Sequence, residues 1–154
     1  ALHKPRDPYL LTYFLGDVSR ERRRRIKNIA SRNGLKVISL ACLKDKARYH
    51  ADPSEFIDYV NSCSMFTTDS FHGVAFSILL EKPFIVFDRV GNSPQMGSRI
   101  DTLLSTFGLE SRRSDLVQDD PNVFDVDFTH VASILEAERK KAIDYLTVSL
   151  VPLK

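Results

Sequence analysis

The chain has 154 residues, 43% of them hydrophobic and 27% charged, which is enough for one globular core and too short for two comfortable ones. A formal net charge of +2 is too small for a nucleic-acid binder, which needs a basic face matched to many phosphates, so nucleic acid is excluded as a partner and small anionic ligands stay open. No stretch reaches the roughly 20 apolar residues needed to span a bilayer, and the N-terminal residues lack the basic-then-apolar pattern of a secretory leader.

Tyr9 to Leu15 is a continuous apolar and aromatic run closed by Gly16-Asp17, the pattern of a strand buried on both faces. A helix follows, with Ser19 as N-cap, Ile26, Ile29 and Ala30 at helical spacing, and Asn33-Gly34 as a left-handed stop. Lys36 to Leu40 reads as the second strand. At Asp52-Pro53-Ser54-Glu55 the start signals coincide: a capping Asp, a proline in the first helical position and a Glu three residues on, so a helix is predicted over Pro53 to Ser62.

Met65 to Thr68 is a short strand leading into Asp69-Ser70-Phe71-His72-Gly73, and Val74 to Leu80 has the character of a buried helix that Pro83 ends. Phe84 to Phe87 makes a fourth strand. Arg89 to Gly97 is rich in Gly, Asn, Ser and Pro and predicts a surface loop, followed by a helix from Ser98 to Phe107 that Gly108 terminates. Arg112 to Asp127 is acidic and irregular, with Leu116-Val117 as a last short strand. Thr129 is expected to cap a closing helix packed through Ile134, Leu135, Ala142, Ile143 and Leu146.

Alternation of strands and helices at this spacing predicts an α/β, Rossmann-like three-layer sandwich around a mostly parallel sheet, in a single domain over 1–154. Ligands in such sheets bind beyond the carboxyl ends of the strands. That rule selects Gly16-Asp17, Asp69 to Gly73, and the loop ahead of Ser98-Arg99.

The densest chemistry lies in Thr67-Thr68-Asp69-Ser70-Phe71-His72-Gly73, a polar knot between a strand and a helix. His72 falls in a first helical turn, where unpaired N–H groups and a partial positive charge hold phosphate or carboxylate, with Ser70 and the backbone assisting. Gly73 is expected to let a ligand approach the main chain. The alternative is structural, with Asp69 and Ser70 merely capping the helix and His72 making an ordinary hydrogen bond. Arg99 is expected at the start of its own helix, where a guanidinium grips carboxylate or phosphate in bidentate fashion; otherwise it is a surface arginine.

The string from Pro53-Ser54-Glu55-Phe56-Ile57 through Thr68-Asp69-Ser70-Phe71-His72-Gly73 to Glu81-Lys82-Pro83-Phe84, then Ser98-Arg99-Ile100 and Leu104 to Leu109, resembles the polysaccharide pyruvyl transferase family over roughly Tyr9 to Leu109. The resemblance implies one half of a GT-B-like architecture, in which two Rossmann-like halves face each other across a cleft. The chain opens on Ala1-Leu2-His3-Lys4 with no Met, so it is expected to be a cut piece of something longer, and the resemblance implies the C-terminal half of a bacterial-type enzyme. The implied reaction transfers pyruvate from phosphoenolpyruvate to two hydroxyls of a saccharide or lipid-linked saccharide, with no cofactor and no metal. His72 is implied as catalytic. Asp69, Ser70, Phe71, Gly73, Ser98 and Arg99 are implied in donor binding.

Other features carry less. The run Arg20-Glu21-Arg22-Arg23-Arg24-Arg25 lies on a predicted helix without interleaved aromatics and reads as a solvated face. Cys42 and Cys63 show neither C-x-x-C spacing nor a partnering His cluster, which fits reduced thiols in a cytoplasmic protein, peripheral at the inner membrane if the acceptor is lipid-linked. Tyr49-His50 either lines the cleft or is exposed, His3 and His130 have no companions, and Asp119, Asp120, Asp125 and Asp127 lack metal-loop spacing. Two other functions compete: a GT-B glycosyltransferase using a nucleotide sugar, and a noncatalytic Rossmann-like docking domain.

Overall fold

The computed structural model describes residues 4–40, 51–90, 94–119 and 121–150. Cys42, Tyr49-His50, Asp120 and His3 lie outside them. Strand β1 (Tyr9–Tyr13) leads to helix α1 (Arg20–Arg32) and strand β2 (Lys36–Leu40); α2 (Pro53–Ser62) leads to β3 (Met65–Thr68), α3 (Phe71–Leu79) and β4 (Phe84–Val86). Helix α4 (Pro94–Thr106), two short 3-10 turns (Glu110–Arg112 and Pro121–Phe124) and α5 (Val131–Ser149) follow.

The sheet runs β2-β1-β3-β4 and every neighbouring pair is parallel, with Tyr9 opposite Lys36, Leu10 opposite Met65 and Phe66 opposite Phe84. Alternation along the strands splits the core in two. Tyr9, Leu11, Phe66, Phe84 and Val86 face one side and meet Tyr59 and Val60 of α2, Val74 and Ile78 of α3, and Ile100 and Leu104 of α4. Leu10, Met65 and Ile85 face the other and meet Ile26, Ile29 and Ala30 of α1 together with Val117 and Val123. The three-layer α/β fold expected from the sequence is therefore present.

Local signals explain most boundaries. The Ser19 side chain accepts the Arg22 N–H at 3.1 Å, and Asp52 accepts the Glu55 N–H at 2.8 Å, so both caps stand where they were expected. Gly34 and Gly108 adopt φ of +64° and +61° just past their helices.

Four expectations need correction. Helix α4 starts at Pro94, so the loop after Arg89 is shorter than predicted and Ser98-Arg99 stand in the second turn; proline is favoured at a first helical position because its missing N–H has no intrahelical partner there. Leu116-Val117 forms no strand, and among the described residues a parallel bridge between Val86 and Arg113 extends that edge of the sheet. Thr129 does not cap α5: its N–H and hydroxyl bond Asp127 Oδ1 at 2.9 and 2.6 Å, and His130 is the cap residue, its ring held by the Phe107 carbonyl. Ile134 and Leu135 pack on the core, but Ala142, Ile143 and Leu146 are exposed, because α5 runs on past the domain's edge.

The arginine run divides. Arg20, Arg23, Arg24 and Lys27 line a solvent-facing concavity of about 360 Å³ with Asn28. Arg22 and Arg25 instead turn inward over the Phe87 ring, at 4.8 and 5.7 Å from its centroid. Arg25 binds Asp119 and the Ser114 and Val117 carbonyls, so it fastens α1 to the later segment. No described helix is long and apolar enough to cross a membrane.

Candidate functional site

The carboxyl end of β3 is built by one hydroxyl. Thr68 Oγ1 donates to the Tyr13 carbonyl at 2.7 Å and accepts the Ser70 N–H at 3.0 Å, fixing the turn between strand and helix. Ser70 is the N-cap of α3 and accepts the Gly73 N–H at 3.4 Å. A side chain on Gly73 would stand 2.6 Å from Thr68 Oγ1 and 3.1 Å from the Phe66 ring. The glycine is therefore required for helix-on-strand packing, and this corrects the expectation that it opens the main chain to a ligand.

The Asp69 side chain is fully enclosed. Its two oxygens accept the Leu15 and Gly16 N–H groups at 2.8 and 3.0 Å, and Arg89 reaches it with Nε 3.6 Å from Oδ2 and Nη2 donating to its carbonyl at 3.3 Å. Gly16 stands three residues past β1, which ends at Tyr13 and not at Leu15 as expected, and it is tightly flanked: a Cβ there would meet Arg89 Cγ at 2.8 Å and Asp69 Oδ2 at 3.1 Å. Giving two N–H groups to Asp69 pulls the chain out of the sheet, which is why Leu15 is 51% exposed despite ending an apolar run.

His72 and Phe71 open α3 on the outer side of this clasp. His72 is exposed, and its ring meets Phe71 edge-on with centroids 5.8 Å apart. The Arg99 guanidinium lies over the same Phe71 ring, 4.5 Å from its centroid. A half-buried phenyl ring thus holds an imidazole and a guanidinium from two different helices at one lip. Ser98 is exposed beside Arg99, and its carbonyl accepts the Thr102 hydroxyl at 2.9 Å. A cation and a proton carrier at a helix N-terminus can hold an anion and pass it a proton.

Of the residues picked from the sequence, Phe71, His72 and Arg99 meet at this lip, Ser98 is exposed next to Arg99 in the chain, and Asp69, Ser70 and Gly73 build the turn beneath it. Sequence reasoning missed Arg89 as a member of the site and gave Thr68, though part of the polar knot, no role of its own. Arg89 bonds a residue 20 positions earlier, a pairing no local pattern encodes; Thr68 carried a hint in its place at the end of an apolar strand. The acids once weighed for metal are spoken for in part, Asp119 by Arg25 and Asp127 by Thr129, whose bonds hold the Asp127 carboxyl below its ordinary range. Cys63 is a buried free thiol whose pKa burial pushes up to about 12.

Among curated proteins, none matches the chain. A family model described as polysaccharide pyruvyl transferase matches residues 2–90, which include β1 through β4 and the whole Asp69 to Gly73 turn but stop short of Ser98 and Arg99. Matched over more than half its length, the chain belongs to the polysaccharide pyruvyl transferase family.

Proposed function

We propose that this chain supplies the donor-binding lip of an enzyme that moves pyruvate from phosphoenolpyruvate onto a saccharide as a cyclic ketal. The observation that carries the reading is the Arg99, Phe71 and His72 stack beyond β3, in a chain of this family. Ketal formation adds a proton to the methylene carbon of the enol, joins two sugar oxygens to the adjacent carbon and breaks its bond to the phosphate oxygen. Of the two hydroxyl protons displaced, one balances the new methyl group and the other leaves with phosphate.

In this reading His72 delivers the proton or steadies the phosphate, since imidazole chemistry operates near neutral pH. Arg99 holds the donor's carboxylate or phosphate in its planar fork. Phe71 fixes both groups against one ring, Ser98 lines the lip, and Asp69, Ser70 and Gly73 position the turn. The reaction asks for no cofactor beyond the donor. A second Rossmann-like half would present the acceptor, in the cytoplasm or at the inner membrane face when that acceptor is lipid-linked.

Phosphoenolpyruvate-dependent phosphate release by the full-length enzyme tests the reading. His72→Ala should lower kcat by about 10²- to 10⁴-fold while the fold survives. Arg99→Lys should raise the donor KM roughly tenfold with a smaller change in kcat. Unchanged turnover in His72→Ala removes the role assigned to the imidazole. Calorimetric binding of a nucleotide sugar without binding of phosphoenolpyruvate replaces the reading with glycosyl transfer.

A further inference from the structure

Strands β1 and β3 lie side by side, and from them the chain leaves in opposite directions, to β2 on one flank and β4 on the other. In parallel α/β sheets this switch in direction opens a crevice where ligand phosphates rest on backbone N–H groups. Here the Leu15 and Gly16 N–H groups that face the crevice already bind both oxygens of Asp69, at 2.8 and 3.0 Å. The Asp69 side chain has no exposed surface, and Arg89 Nε lies 3.6 Å from it.

A second guanidinium carries a buried, unpartnered donor. Arg22, near the start of α1, donates from Nη2 to the Asp88 carbonyl at 2.8 Å, while its Nη1 is buried with no hydrogen-bond partner among the described residues. Asp69 is the foremost charge acting on it. Two N–H groups and the Arg89 guanidinium therefore surround one carboxylate belonging to the protein itself. Such a surround is an anion pocket filled from within.

We propose that Asp69 is a specificity-determining residue, a resident anion that bars the diphosphate of nucleotide donors from the crevice between β1 and β3 and leaves only the lip at Phe71, His72 and Arg99 for a small phosphorylated acid. A phosphate bound to the same N–H groups would have to displace the carboxylate or sit against it, and like charges brought together strongly disfavour binding. The choice of lip rests on the function proposed above. The filled crevice does not.

The test uses the 154-residue chain and inorganic pyrophosphate as the probe, with sodium chloride at matched ionic strength as control. In the native chain, pyrophosphate should leave the Leu15 and Gly16 amide resonances unmoved. Asp69→Ala should melt at a lower temperature, regain stability with pyrophosphate or acetate beyond the chloride control, and bind pyrophosphate at least roughly tenfold more tightly than the native chain. Asp69→Ser, which keeps an acceptor for one N–H, replaces it should Asp69→Ala not fold. Amide shifts at Leu15 and Gly16 in the native chain overturn the proposal, as does a folded variant with no gain in anion binding, the outcome of a purely structural clasp. Because none of these readouts uses turnover, failure of the transferase reading and failure of this one are separable.

Discussion

At the scale of single residues, Gly73 shows how close packing outweighs intrinsic preference. Alanine is favoured over glycine inside a helix by about 1 kcal/mol, yet a methyl group 2.6 Å from Thr68 Oγ1 forces a displacement that costs about 1 to 3 kcal/mol. The overlap also pushes on a hydroxyl that serves two partners. Gly73→Ala is therefore expected to lower stability in urea denaturation, with no gain from helix propensity. Tyr9 makes a pH-dependent contribution. Its buried hydroxyl donates to the Tyr59 carbonyl at 2.7 Å, and burial raises its pKa above the ordinary value. Buried Cys63 is raised in the same way, from 9.0 to about 12. Groups raised in the folded state contribute stability that is present at lower pH and lost as pH rises, so unfolding should become easier above about pH 9 to 10. Tyr9→Phe should cost about 1 kcal/mol at pH 7 and make the alkaline fall in melting temperature shallower.

At the scale of elements, two positions carry backbone choices that substitution can test. Glu81, just after α3, has φ of +52°, a left-handed conformation that disfavours any side chain at Cβ. Glu81→Gly should stabilise the chain by about 1 kcal/mol. Gly97 sits inside α4 with nothing within 4 Å of where its Cβ would be, so Gly97→Ala should add about 0.5 to 1 kcal/mol. Thermal melts of the two single variants and the pair check both gains, which should add because the sites are independent. Strands β1, β3 and β4 were legible because unbroken apolar runs between turn residues suit burial on both faces. The start of α4 was not, since Asn92, Ser93, Pro94 and Gly97 read as a loop and the first-position role of Pro94 was overlooked. The turn at Asp69 to Gly73 was readable from its cap, whereas the direction of the Asp69 carboxylate depends on Leu15, 54 positions away. Sequence spacing carries no such information.

At the scale of the whole molecule, the stretch after β4 is part of the fold rather than an appendage. Buried Arg112 donates to the Phe84 carbonyl at 2.9 Å and the Val123 carbonyl at 2.7 Å, and Arg113 pairs with Asp88 and Asp101. Val117 and Val123 complete the core on the α1 side of the sheet. A chain stopped at residue 90 should therefore fail to unfold cooperatively and should bind a hydrophobic dye. One stopped after Glu138 should keep its denaturation midpoint, because the described side chains beyond that point are exposed. Circular dichroism against urea distinguishes the two outcomes.

The cation at the lip comes from α4, beyond the residues that the family model matches, and it lies over the Phe71 ring that His72 meets edge-on. On the proposed function, kinship and grip are thus written in different stretches of the polypeptide. On the function proposed above, a protein carrying the same D-S-F-H-G signature with another residue in place of Arg99 would keep the imidazole and lose the guanidinium assigned to the donor's charge, so the signature by itself would leave the cargo undetermined.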